Sequence, residues 1–193
     1  MSMFRPIPVA VLHAPPSDPG GSHATVIASG PDEIDWHWHL SITHIERDGD
    51  FLALADTRRQ LVTLDASIQW RIDDGHEQPL LRLRAIHLDS GDALHISLPE
   101  GHTRVFELLL RGSTQGELIA RPLNGLMWLP LRPGHRWFVH LLSGQANLQA
   151  RHEQSLSESL ELSLGHSVWV HAQPGQRVHI EGGGELLLVQ LAD

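Results

Sequence analysis

The stretch LDSGDALHISLPEGHTRVFELLLR, Leu88 to Arg111, runs from a Gly-containing turn through a short alternating segment to a Pro-Glu-Gly turn flanked by histidine, then a nearly continuous apolar run. A second stretch, LSLGHSVWVHAQPGQRVHIEGGGELLLVQL, Leu162 to Leu191, repeats the order: glycine, strand, Pro-Gly turn, His-bearing segment, apolar strand. Short apolar and β-branched runs bounded by Gly, Pro, Asp and Ser are the pattern of β-strands, and the recurrence is a weak internal repeat.

The same pattern extends outward from both stretches. PVAVLH, HATVIAS, DWHWHLSITHIE, FLALAD, QLVTLDA, SIQWRID, LLRLRAIHL, GELIARPL, LMWLPL, WFVHLLS and ANLQARH all read as extended segments. SGPDE, RDGD, DDGHEQP, RGSTQG, RPG, LSGQ and EGGG read as the turns between them, because these residues permit φ > 0 or fix φ. RHEQSLSESLELSL reads as a polar hairpin, and DTRRQLVTL admits a helical turn or a turn entering a strand. Strands at this density predict an all-β sandwich or barrel, and no linker of domain-separating length interrupts them.

Composition excludes several kinds of chemistry. The chain of 193 residues has 41% hydrophobic content, enough for one domain or two small packed ones. All 14 basic residues are arginine, and 23 acidic residues leave a net charge of −9, which argues against a nucleic-acid partner. With neither cysteine nor lysine there is no thiolate nucleophile, Schiff base, CxxC site or P-loop lysine. No run approaches the length of a membrane helix and no cleavage pattern follows the first apolar residues, so a cytoplasmic protein without membrane contact is the expectation.

The sharpest candidate for a site is WHWHLSITHIE, Trp36 to Glu46. An H-x-H pair on a strand puts both imidazoles on one face, as a metal site would use them. Glu46, however, falls seven residues after His39 and on the opposite strand parity. His102, after Pro99-Glu100-Gly101, is the remaining ligand candidate, so a metal, if bound, is expected at His37, His39 and His102. The alternative is a strand with Trp36, Trp38, Leu40 and Ile42 facing a core and His37, His39, Ser41 and Thr43 facing a solvated or pocket side. Glu107, an acid within the apolar run VFELLLR, needs a partner if buried, and Arg59, Arg111 and His102 are the candidates. Arg82 and Arg84 in LLRLRAIH alternate onto a polar strand face.

The repeat, with its Gly-turn strand, P-x-G turn and nearby histidine, resembles the second half of a cupin motif. Two copies suggest a bicupin of two packed jelly-roll barrels, residues 1–112 and 113–193, with strands exchanged between them. WHLSITHIERDGDF, Trp38 to Phe51, is similar to the W-R-x-S-x-A-x-V-x-x-D-G-P-F-S signature of the HutD/Ves family. LADTRR places Arg59 in register with the arginine of the family's F-P-G-x-x-R segment, and PSDPGGSHA retains Pro16, Gly20 and Gly21 of its N-terminal motif. His39 stands where the family has arginine, Glu107 where it has asparagine and Leu109 where it has methionine.

The resemblance implies a bacterial bicupin that binds a small polar metabolite without catalysing a reaction, linked to histidine utilisation or a stress response. No cofactor is expected. The residues expected to line the site are His37, His39, Ser41, Arg59, His102 and Glu107, with Arg59 meeting an anionic group and tryptophans as walls. The Arg-to-His exchange at His39 removes a bidentate fork, and Glu107 makes an anion less welcome. Two other readings remain open: a metal-dependent cupin dioxygenase or isomerase using His37, His39 and His102, and an interaction protein that forms a homodimer through a strand face.

Overall fold

Strands are the only regular elements among the described residues of the computed structural model, which are 2–8, 23–32, 34–51, 53–152, 155–171 and 175–192. PVAVLH lies mostly outside them, as do Pro16, Gly20 and Gly21. The chain forms two compact units, residues 10–114 and residues 1–9 with 115–193. The first strand, β1 (Phe4–Ile7), therefore belongs with the C-terminal residues, where it pairs antiparallel with Ser167–Val170. Glu158 secures it, accepting hydrogen bonds from the Met3 amide at 2.8 Å, the Phe4 amide at 3.3 Å and the Ser2 hydroxyl.

The N-terminal unit contains β2 (His23–Gly30), β3 (Trp38–Ile45), β4 (Gly49–Phe51), β5 (Thr57–Thr63), β6 (Ile68–Ile72), β7 (Gln78–Leu80), β8 (Ala85–Leu88), β9 (Leu94–Ser97) and β10 (Thr103–Arg111). They form a five-stranded sheet, β2-β3-β10-β5-β8, and a four-stranded sheet, β4-β9-β6-β7. Ile45, Leu61, Leu88 and Val105 from the first sheet pack with Phe51, Ile68, Leu80, Leu94 and Ile96 from the second, so this core lies between the two sheets. Residues at both strand parities of β3 and β10 are buried, Leu40, Phe106 and Leu108 as well as Val105. Near-continuous apolar runs such as VFELLLR are the sequence signature of strands buried on both faces.

The C-terminal unit adds β11 (Gly116–Leu129), β12 (His135–His152), β13 (Ser155–Leu162), β14 (Ser167–His171) and β15 (Gln176–Ala192) to β1, in the order β1-β14-β12-β15-β11 with β13 also on β12. Its core cluster is apolar and includes Leu123, Val139, Leu141, Leu148, Val178, Ile180 and Leu186.

Three expectations from the sequence are corrected. LLRLRAIHL is not one strand: β7 ends at Leu80, Leu83 adopts φ 59° in a turn, and Arg82 donates to the Leu64 carbonyl at 2.6 Å. GGGE and LSGQ are not turns between strands but the midpoints of β15 and β12. A Cβ on Gly184 would lie 1.8 Å from the Ser143 carbonyl oxygen, and one on Gly144 would lie 1.9 Å from that of Gly183. Glycine here marks close backbone approach where two long strands pass a register shift between Leu141 and Ser143, the use glycine has inside strands. The third correction concerns Trp36, which precedes β3 and does not share the face of Trp38. Trp38 instead packs on Gly30, where an added Cβ would meet its ring at 2.3 Å.

Candidate functional site

Antiparallel partners project to the same side of a sheet, so the register of β10 with its neighbours decides which side chains meet. Glu107 lies opposite Ser41 on β3 and Leu61 on β5, while Leu109 lies opposite His39 and Arg59. Alternate positions share a face. His39, Ser41, Thr43, Arg59 and Glu107 thus lie on the same side as Ile45, Leu61 and Val105, the side that packs toward the four-stranded sheet. Along these strands the inner face changes from apolar at Ile45 and Val105 to polar at His39 and Arg59.

Glu107 is the centre of this row. Its Oε1 accepts a hydrogen bond from the Thr43 hydroxyl at 2.8 Å, and its Oε2 lies 3.3 Å from Nε of Arg59. The two charged side chains are only 11% and 6% exposed, so neither charge is compensated by bulk water and each depends on the other. Of the three partners considered for Glu107, Arg59 is the one it meets. Arg59 also sits over the Phe51 ring, 5.3 Å from its centroid. Ser41 and Thr43 are buried, so the polar side of β3 is an interior surface and not a solvated one.

At the open end of the row, Trp36 turns back against His39, with ring centroids 5.5 Å apart. The Arg111 guanidinium lies 3.8 Å from the centroid of the Trp36 ring. Burial pushes the half-buried His39 imidazole below its ordinary value, and the charge of Arg111 pushes it the same way. A depressed imidazole is neutral in the folded chain while the unfolded chain takes up a proton, so stability is present above about 6.5 and is lost as pH falls toward the folded-state value. His39→Gln is therefore expected to flatten the dependence of melting temperature on pH between about pH 7 and pH 5, a test read by thermal scans.

His37 and His102 do not join this row. His37 is exposed ahead of β3, its amide donating to the Gly30 carbonyl at 2.6 Å and its carbonyl accepting from the Arg111 amide at 2.9 Å. His102 is exposed at the other end of β10, next to Thr103, which pairs with Ile45. Leu109, the partner of His39, is six residues further along, a separation of roughly 20 Å at about 3.3 Å per residue. His37, His39 and His102 therefore do not fit one metal ion, and no group of three or more potential ligands is positioned for a metal among the described residues. Glu46 is exposed beyond the end of β3.

Thr43, Phe51, Trp36 and Arg111 also flank this row; the sequence puts Thr43 on the pocket side and expects tryptophan walls, but assigns neither Phe51 nor Arg111 to the site. Thr43 shares the parity of His39 and Ser41, a signal available in the sequence, and Arg111 shares that of Glu107. The placement of Phe51 and Trp36 depends on the second sheet and on a loop.

Antiparallel sheets packed around apolar cores make this an all-β protein of cupin-like fold, and solved structures share that fold. The chain is similar in fold to the protein PA5104 from Pseudomonas aeruginosa PAO1, with 18% identity, TM-score 0.77 and coverage of 99% of this chain and 98% of that one. It is also similar to a cupin 2 conserved barrel domain protein from Leptotrichia buccalis, with 11% identity, TM-score 0.57 and coverage of 92% and 91%. The sequence matches the HutD family model over residues 19–188, and the chain belongs to the HutD family. The structure of HutD from Pseudomonas fluorescens SBW25 superposes with TM-score 0.76 at 16% identity, covering 98% of this chain and 99% of that one. No curated protein matches the sequence.

Proposed function

We propose that this HutD-family chain is a non-catalytic, cytoplasmic bicupin that binds a small polar metabolite and serves the control of histidine or amino-acid catabolism or a stress response. The observation that carries the reading is the Thr43–Glu107–Arg59 cluster, a buried ion pair within a polar row that borders an apolar core. Such a pair contributes little to stability over well-packed apolar residues, so its presence is better accounted for by recognition than by folding. Glu107 and Ser41 orient the polar part of the ligand, neutral His39 offers one donor and one acceptor, and Trp36 and Phe51 close the sides. Because Glu107 already neutralises Arg59, Arg111 supplies the uncompensated charge at the open end.

Calorimetric titration with L-histidine, L-glutamate and L-glutamine tests this reading. At least one of the three is expected to bind, with affinity about tenfold lower in Glu107→Gln or Ser41→Ala, the loss of one or two hydrogen bonds. Absence of binding by all three, or binding that neither variant weakens, would count against it.

A further inference from the structure

We infer that the C-terminal unit carries a second binding site, for the oxyanion of a small phosphate- or carboxylate-bearing molecule, on the face of β12 and β15 that points away from its core. Val178 and Ile180 of β15 point into the apolar core, so Arg177, His179 and Glu181 take the opposite side. On β12 the same side holds Gln149, opposite His179, and Arg151, opposite Arg177. On β11 it holds Trp128, opposite His179.

Three observations point to an anion. First, Arg151 and Arg177 are direct cross-strand partners, an arrangement of like charges that is unfavourable unless something negative lies between or above them. Neither forms an ion pair with a carboxylate among the described residues, in a chain whose net charge is −9. Second, His179 is only 3% exposed, and its Nδ1 and the Nε of Arg151 are both buried without a hydrogen-bond partner. Buried polar nitrogens are rarely left in that condition, and with the imidazole proton on Nδ1 the two, on adjacent strands of one face, suit a single acceptor carrying two or three oxygens. Third, Trp128 is 54% exposed although it lies edge-on to His179, with centroids 5.1 Å apart, so the ring that covers the imidazole is itself open to solvent.

Among the described residues, the carboxylate whose charge acts on His179 is Glu181, which is exposed and two residues away along β15. Burial and the charge of Arg151 keep His179 below its ordinary value, so a neutral imidazole donates one N–H and the guanidinium of Arg151 supplies the charge. Arg151 also donates through Nη2 to Gln149 Oε1 at 3.4 Å, and its Nε is left for a further acceptor. The residues of this site all belong to the C-terminal unit, and those of the Glu107 row to the N-terminal unit.

Titration of the whole chain with inorganic phosphate, and separately with sodium acetate, each against sodium chloride at equal ionic strength, tests the inference by the ring resonances of His179. A saturable shift with phosphate, with acetate or with both is expected, and the stronger of the two identifies the oxyanion. Affinity is expected to fall about tenfold or more in Arg151→Gln, and less in Arg177→Gln, whose side chain is exposed. Shifts no larger than those of chloride, as expected if only water occupies the space, would overturn the inference. So would an affinity that Arg151→Gln leaves unchanged while its melting curve remains cooperative.

Discussion

Gly184→Ala is expected to destabilise the protein by about 3–5 kcal/mol, a large part of the stability of a domain this size. Two costs combine. Gly184 has φ +138°, where an L side chain is strained, and its new Cβ would lie 1.8 Å from the Ser143 carbonyl oxygen, so β12 and β15 must separate at their midpoint. Gly91→Ala is the control: φ is +93°, but nothing lies within 4 Å of its Cβ, and the backbone term alone costs about 1–3 kcal/mol. Urea melts of the two variants measure the difference. Equal midpoints would mean that the strands do not approach as described.

Breaking the buried ion pair from one side gives the second large effect. Arg59→Met leaves Glu107, 6% exposed, with only Thr43 as its polar partner in the row, and is expected to cost about 3–5 kcal/mol. Adding Glu107→Leu removes the stranded charge, and the double variant is expected to recover most of that loss, since apolar replacement of both partners is often close to neutral. If Arg59→Met costs no more than about 1 kcal/mol, the pair is exposed and screened. Binding should not return in the double variant even where stability does, which separates recognition from folding.

The all-β architecture was legible because alternation and turn residues act locally, and the resemblance of Trp38 to Phe51 to the HutD/Ves signature led to the right family. Strand limits in the C-terminal unit were not legible. Gly144, Gly182, Gly183 and Gly184 carry the same local signal in a turn as in the middle of a strand, and only the partner strand tells them apart. In the site, the side-chain alternation of β3 and β10 correctly grouped His39, Ser41 and Glu107 with one face each, but not with each other. Their meeting with Arg59 depends on the pairing order β3-β10-β5, a non-local property. The H-x-H spacing suggested a metal because spacing along one strand says nothing of where His102 lies, and β10 carries it to the far end.

Amide chemical shifts of the isotopically labelled chain, recorded during titration with L-histidine, L-glutamate and L-glutamine, test the central claim most directly. Perturbations concentrated at residues 36–43, 57–61 and 105–111 are predicted, because those segments carry the buried polar row and its open end. Perturbations confined to residues 115–192, or no saturable change with any of the three, would contradict it.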